Sequence, residues 1–272
     1  MSAYGVISLA KRPLEPLPST LWLCKPKNTD NSPSEPSENI NVPYLTIHHL
    51  TLPTAYAHPD LIPYLHATFE EVLQHGMTYP QEVIQGEPYT QSMFESYFFG
   101  GDVLVAIVGN DAFAVGKADG SEVFMGLDEA RNGRSWKDCI AGFYYVKPNY
   151  PGRSSHICNA GFVVPSSQRA KGFGSVLARS YLHYGPSLGY EASVFNLVFV
   201  NNVASVKLWD GLNFTRAGLI PRAGRLKKAD GSGEEYVDAI VFYKRFDTPE
   251  ESSAPKSSEP QKTAPVQLIT DN

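Results

Sequence analysis

The 272-residue chain is long enough for one large domain or two small ones, and a core of that size needs no disulfide or metal staple. Its 23 basic and 28 acidic residues leave a net charge of -5, which argues against nucleic acid or an anionic membrane held by bulk charge. The three cysteines, Cys24, Cys139 and Cys158, are scattered and form no CxxC, so neither a disulfide framework nor a zinc site is expected and a reducing compartment is the better reading.

In chain order, the first segment, MSAYGVISLAKRPLEP, has no basic region ahead of an apolar run, so no secretory signal is read there. No stretch approaches the roughly 18 apolar residues of a membrane span. TLWLCKP suggests an edge strand. Residues 28–41 and 247–272 are polar and proline-broken, and cannot bury enough apolar surface to offset their ordering entropy. The chain therefore divides into an N-terminal extension (1–44), one α/β domain (45–246) and a disordered tail (247–272).

Within the domain, Leu61, Leu65, Phe69 and Leu73 recur at helical spacing up to Gly76. DVLVAIVGND reads as a strand and turn, and residues 110–136 as a long glycine- and charge-rich excursion. CIAGFYYV and SHICNAGFVV read as strands joined by the turn-rich KPNYPGRS, with Cys158 as a small core residue. A helix carries Phe173, Leu177 and Tyr181 on one face and is expected to stop at Gly185-Pro186. ASVFNLVFV suits a strand buried on both faces. A short helix from Asn202 to Gly211 and two strands, FTRAGLI and YVDAIVFYKRF, complete the domain.

The chemistry centres on RAKGFG (residues 169–174), between a strand and a helix. A helix start leaves N–H groups unpaired and favours negative charge, and Gly172 and Gly174 let an anion approach the backbone. Arg169 and Lys171 add positive charge at the rim. Neither the dinucleotide fingerprint nor the Walker loop fits the spacing. The hexapeptide does match the pyrophosphate loop of acetyl-CoA-dependent N-acyltransferases, and NNVASVKLWDGLNF resembles that superfamily's second signature. GMTYPQ, FYYVKPNYPGRSSHICNAGF, FNLVFVNNVASVKLWDGLNF and AGLIPRAG further resemble the fungal proline-analogue N-acetyltransferases of the GNAT superfamily, which acetylate L-azetidine-2-carboxylate. The likeness runs in blocks from about Leu61 to Phe246.

That resemblance implies a mixed, mostly antiparallel α/β sheet splayed between its fourth and fifth strands and flanked by helices. It implies acetyl-CoA as co-substrate, held by the main chain of Phe162, Val163 and Val164, by Arg169, Ala170, Lys171, Gly172, Phe173 and Gly174, and by Asn202. It also implies a small amino or imino acid as acceptor, bound by Asn159 and Asn196 with Tyr79 lining the pocket, a homodimer, and direct transfer in a ternary complex. By the residues alone, Asn202 is fully explained as a helix N-cap, and each strand Asn by a local backbone bulge. Trp209 stands where many superfamily members have an acidic Tyr; indole has no such proton to give, so Trp209 reads as packing. Candidates for a general base are His75, His156, His183, Glu70, Glu71 and Tyr79, and none is assigned. No metal, nucleic acid or membrane is implied, and the compartment reads as cytoplasmic with a mitochondrial one left open. Other acceptors stay open (a polyamine, a xenobiotic amine, a protein N-terminus), as does a CoA-binding sensor without turnover.

Overall fold

The computed structural model describes residues 13, 15–24, 42–83 and 86–246. Segments 28–41 and 247–272, expected to be disordered, lie outside the described residues. In chain order the elements are β1 (Ser19–Leu23), β2 (Val42–Leu50), α1 (Leu52–Tyr56), α2 (Leu61–His75), α3 (Gln91–Phe98), β3 (Asp102–Asp111), β4 (Ser121–Val123), α4 (Leu127–Arg131) and α5 (Trp136–Cys139). They continue with β5 (Ile140–Pro148), β6 (Ile157–Val163), α6 (Phe173–Ser187), β7 (Ala192–Phe199), α7 (Val203–Gly211), β8 (Thr215–Lys227) and β9 (Glu234–Arg245).

The strands form one sheet in the order β4-β1-β2-β3-β5-β6-β7-β9-β8. All neighbours run antiparallel except β6 and β7. The central strand β5 shows why helices cover both faces. Phe143 and Tyr145 point into a core with Phe69 of α2 and Phe94 and Phe98 of α3. Ala141, Tyr144 and Val146 point the other way, onto Leu177, Tyr181 and Tyr184 of α6. A near-continuous apolar run is what a strand buried on both sides requires.

Several expectations change here. The TLWLCKP strand forms β1, but it lies inside the sheet between β2 and β4, because the 110–136 excursion folds back as β4 and pairs Glu122 with Thr20. The rest of that excursion supplies α4 and α5, and Leu127 and Trp136 are buried in the α2–α3 core. β1 and the first residues of β2 therefore stand within the sheet although they precede residue 45. Counted without these two added strands, β1 and β4, the strands that part, β6 and β7, are the fourth and fifth, as the resemblance implies.

Helix α6 runs past Gly185-Pro186 to Ser187, since Pro186 sits in the last turn and the N–H of Leu188 still reaches Tyr184. Gly185 serves packing instead: a Cβ there would stand 2.7 Å from the Phe246 ring. β7 is not buried on both faces throughout. Its pairing with β9 slips between Phe195 and Val198, and Asn196 in the slip is exposed.

Candidate active site

β6 and β7 are paired only at Ile157↔Ala192 and Cys158↔Ser193. Beyond Cys158 the strands part, which leaves the β7-facing edge of β6 without a strand partner. A cleft of about 1280 Å³ opens there. It reaches from the glycine loop, past Phe162, Val163 and Val164, to Tyr79, Asn159 and Asn196.

At the loop end, Gly172 is the N-cap of α6 with φ +83°, a left-handed conformation suited to glycine. Ala170 also has a positive φ, 63°. Gly174 has nothing within 4 Å of where a Cβ would stand, so no protein neighbour demands glycine there. Its place on the cleft wall leaves the first turn of α6 bare toward the cavity. Arg169 and Phe173 also line the cleft. Lys171 does not; its Nζ donates to Gln168 Oε1 at 2.8 Å. Asn202 lines the cleft while its side chain accepts the N–H of Ser205 at 3.2 Å, so the capping role is present.

At the other end three carboxamides converge. Asn159 Nδ2 and Asn196 Nδ2 each donate to Asn149 Oδ1 at 2.7 Å. Asn149 Nδ2 and Tyr150 Oη donate in turn to Asn196 Oδ1, at 3.2 and 3.4 Å. Asn159 is half-buried and Asn196 exposed, because the parting of the strands opens that face. Tyr79 is held by a 3.2 Å bond from its Oη to the Phe162 carbonyl, and burial pushes its phenol well above the usual range. Gly161 makes room for it, since a Cβ would lie 2.7 Å from that Oη and 2.5 Å from the Tyr145 ring.

Trp209 is buried against Phe195 and Phe162, with ring centroids at 4.4 and 5.4 Å, and its Nε1 donates to Ser205 Oγ at 3.0 Å. Cys158 is buried on the face opposite Asn159, beside Tyr181 Oη at 3.1 Å, and burial pushes its thiol up to about 12. Of the candidate bases, only His75 and Tyr79 line the cleft. No Asp or Glu is among its described lining residues. Nor does any group of three or more His, Cys, Asp or Glu gather as a metal site among the described residues. Asn149, Tyr97, Tyr145 and Lys147 line this end too and were not singled out from the sequence.

Comparison with known proteins places this geometry in context. The sequence profile of the Acetyltransferase (GNAT) family matches residues 111–214. N-acetyltransferase aca1 of Schizosaccharomyces pombe is 41% identical over 180 residues, 66% of this chain and 78% of that protein. Protein SPT10 of Saccharomyces cerevisiae is 29% identical over 72% of this chain, but the match spans only 34% of SPT10. Among solved structures, a GCN5-related N-acetyltransferase from Kribbella flavida has a TM-score of 0.51 at 23% identity, covering 73% of this chain and 97% of that one. A phosphinothricin acetyltransferase from Sinorhizobium meliloti in complex with AcCoA has a TM-score of 0.52 at 14% identity, covering 78% and 93%. Both share the fold.

Proposed function

Because the chain belongs to the GNAT family and is an acetyl-CoA-dependent N-acetyltransferase, we propose that its acceptor is the amine of a small amino or imino acid, such as the proline analogue azetidine-2-carboxylate. The observation that carries this reading is the acceptor end of the cleft. Three linked carboxamides stand there, and no acid is among the described lining residues. A polyamine or other polycation would need carboxylates to offset its desolvation. Neutral amides instead orient a small polar molecule by hydrogen bonds without trapping a charge.

The residues at the loop end fit the donor, whose acetyl thioester supplies the group transferred. Gly172, Gly174 and the start of α6 would face the pyrophosphate, with Arg169 at the rim. The unpaired edge of β6 would hold the pantetheine arm, and Asn202 would touch the donor while still capping α7. The uncharged acceptor nitrogen attacks the acetyl carbonyl, the C–N bond forms, the C–S bond breaks, the amine proton leaves for solvent, and the sulfur departs as a thiolate that takes its proton from solvent. Trp209 offers no acidic proton; it packs the wall beside Phe162. A thiolate near the cysteine pKa of about 8.5 is a tolerable leaving group without a dedicated acid. Buried Cys158, its thiol held up and turned from Asn159, is unsuited to carry an acetyl group.

The test is thiol release from acetyl-CoA with azetidine-2-carboxylate, proline, a hydroxyproline and a polyamine, for wild type and Asn196→Ala. Turnover limited to imino acids and lost in the variant is expected. Turnover of the polyamine alone would overturn the reading.

A further inference from the structure

Lys147 is the cation at the acceptor end that the reading above leaves unused. It sits on β5 directly opposite Asn159 of β6, so both side chains rise from the same face of the sheet. Its Nζ donates to the Tyr97 carbonyl at 3.0 Å and stands 4.0 and 4.1 Å from the ring centroids of Tyr97 and Tyr145. A carbonyl and two aromatic faces favour the charged form and aim it. One donor of the three is thereby engaged.

What these contacts do not provide is a counter-ion. Lys147 forms no ion pair with a carboxylate among the described residues. Burial accordingly lowers its pKa to about 8, and no nearby acid raises it again. A part-buried ammonium is costly unless paired, and this one lines the cavity beside the carboxamides. The two phenols next to it are bonded to each other, Tyr97 Oη to Tyr145 Oη at 3.0 Å, which fixes the rings around the ammonium.

We propose that Lys147 is the specificity residue that receives the acceptor's carboxylate, with Asn159 close enough to share it. This rests on the amino-acid reading of the acceptor. It accounts for a cation in the half of the cleft where an amine must enter uncharged: an anion on the same molecule offsets it. The site then selects amino acids over amines of similar size that lack a carboxylate.

The experiment compares azetidine-2-carboxylate with its carboxamide for wild type, Lys147→Met and Lys147→Arg, following thiol release and reading kcat and KM separately. Acetyl-CoA binding to each variant is titrated to report an intact fold. Truncating one partner of a buried charge pair costs enough that the acid-over-amide ratio in kcat/KM falls about 30-fold or more in Lys147→Met, through KM. Lys147→Arg, which keeps the charge, recovers part of that ratio. An unchanged ratio in Lys147→Met, with both acceptors losing equally, overturns the role of Lys147 alone. If wild type uses neither compound but acetylates amines without a carboxylate, the amino-acid reading fails first. If Lys147→Met no longer binds acetyl-CoA, Lys147→Arg decides: binding retained with at least part of the wild-type ratio supports the role, and binding retained with the ratio collapsed overturns it.

Discussion

Asn149 and Asn196 bond to one another twice across the parted strands, Nδ2 to Oδ1 at 2.7 Å in one direction and 3.2 Å in the other. Asn149 follows β5 and Asn196 sits in the β7 slip, so the pair ties the β5–β6 turn to β7 at the end of the cleft proposed for the acceptor. Asn159 adds a third bond to the same Asn149 oxygen. One carboxamide thus orients two others.

Asn149→Ala should therefore cost activity much as Asn196→Ala does, although Asn149 was not among the residues picked out from the sequence. Groups in one network are non-additive, so the double variant should lose no more than about threefold beyond the worse single variant in kcat/KM. Fully multiplicative losses would show that the two amides act separately.

The contrast between what the sequence reveals and what it hides is clear at this end of the cleft. The glycine loop, the Asn202 cap and the Asn159 and Asn196 positions are local signals: a bare backbone before a helix, or an amide inside an apolar strand. Asn149 and Lys147 become neighbours of those residues only through the β5–β6 register, a long-range pairing that no local pattern reports. A faint sign was present, since Phe143, Tyr145 and Lys147 alternate on one face and put a cation at the end of an apolar row. The place of β1 inside the sheet was hidden for the same reason: its second partner, β4, lies about a hundred residues away in a stretch rich in glycine and charge. Asn196 is exposed where β7 has parted from β6 and slips against β9, whereas an unbroken apolar run reads as even burial.

Gly161 separates Tyr145 from Tyr79, and a methyl group there would stand 2.5 Å from one ring and 2.7 Å from the other's hydroxyl. Gly161→Ala should push Tyr79 from its bond to the Phe162 carbonyl and narrow the acceptor end. Steady-state kinetics should show acceptor KM raised by about tenfold, with acetyl-CoA KM within about twofold, as expected when binding to one substrate alone is disturbed. Equal rises in both constants would contradict a local effect.

His48 of β2 is buried beside β1, its ring nitrogens 2.9 Å from Ser19 Oγ and Thr46 Oγ1. Burial, with a smaller push from His58, lowers its pKa from 6.5 to about 4. Between those values the unfolded chain binds the proton and the folded chain does not, so stability is full above pH 6.5 and falls as pH drops toward 4. The linkage amounts to about 2 kcal/mol between pH 7 and pH 5. Urea unfolding at the two pH values should show wild type losing about that much more than His48→Gln, which has no ring to titrate. Equal losses would mean that His48 takes up its proton as readily in the folded chain as in the unfolded one, and that burial does not depress its pKa.

Gly172 and Gly174 flank the same turn but answer to different constraints. Gly172 has φ +83°, so Gly172→Ala forces an L-residue into the left-handed region and should cost about 1–2 kcal/mol of stability. Gly174 lies inside α6 with open space around its missing Cβ, so Gly174→Ala suits the helix and should leave the unfolding midpoint unchanged or slightly higher. Its methyl would instead protrude from the first turn into the cleft, where the proposed function puts the pyrophosphate. Acetyl-CoA KM should then rise about tenfold or more while acceptor KM moves little, since losing one charge-assisted contact is worth that much. Thermal melts and acetyl-CoA titrations on the two variants separate these effects. If Gly174→Ala melts early yet binds acetyl-CoA normally, the first turn of α6 is not the pyrophosphate site.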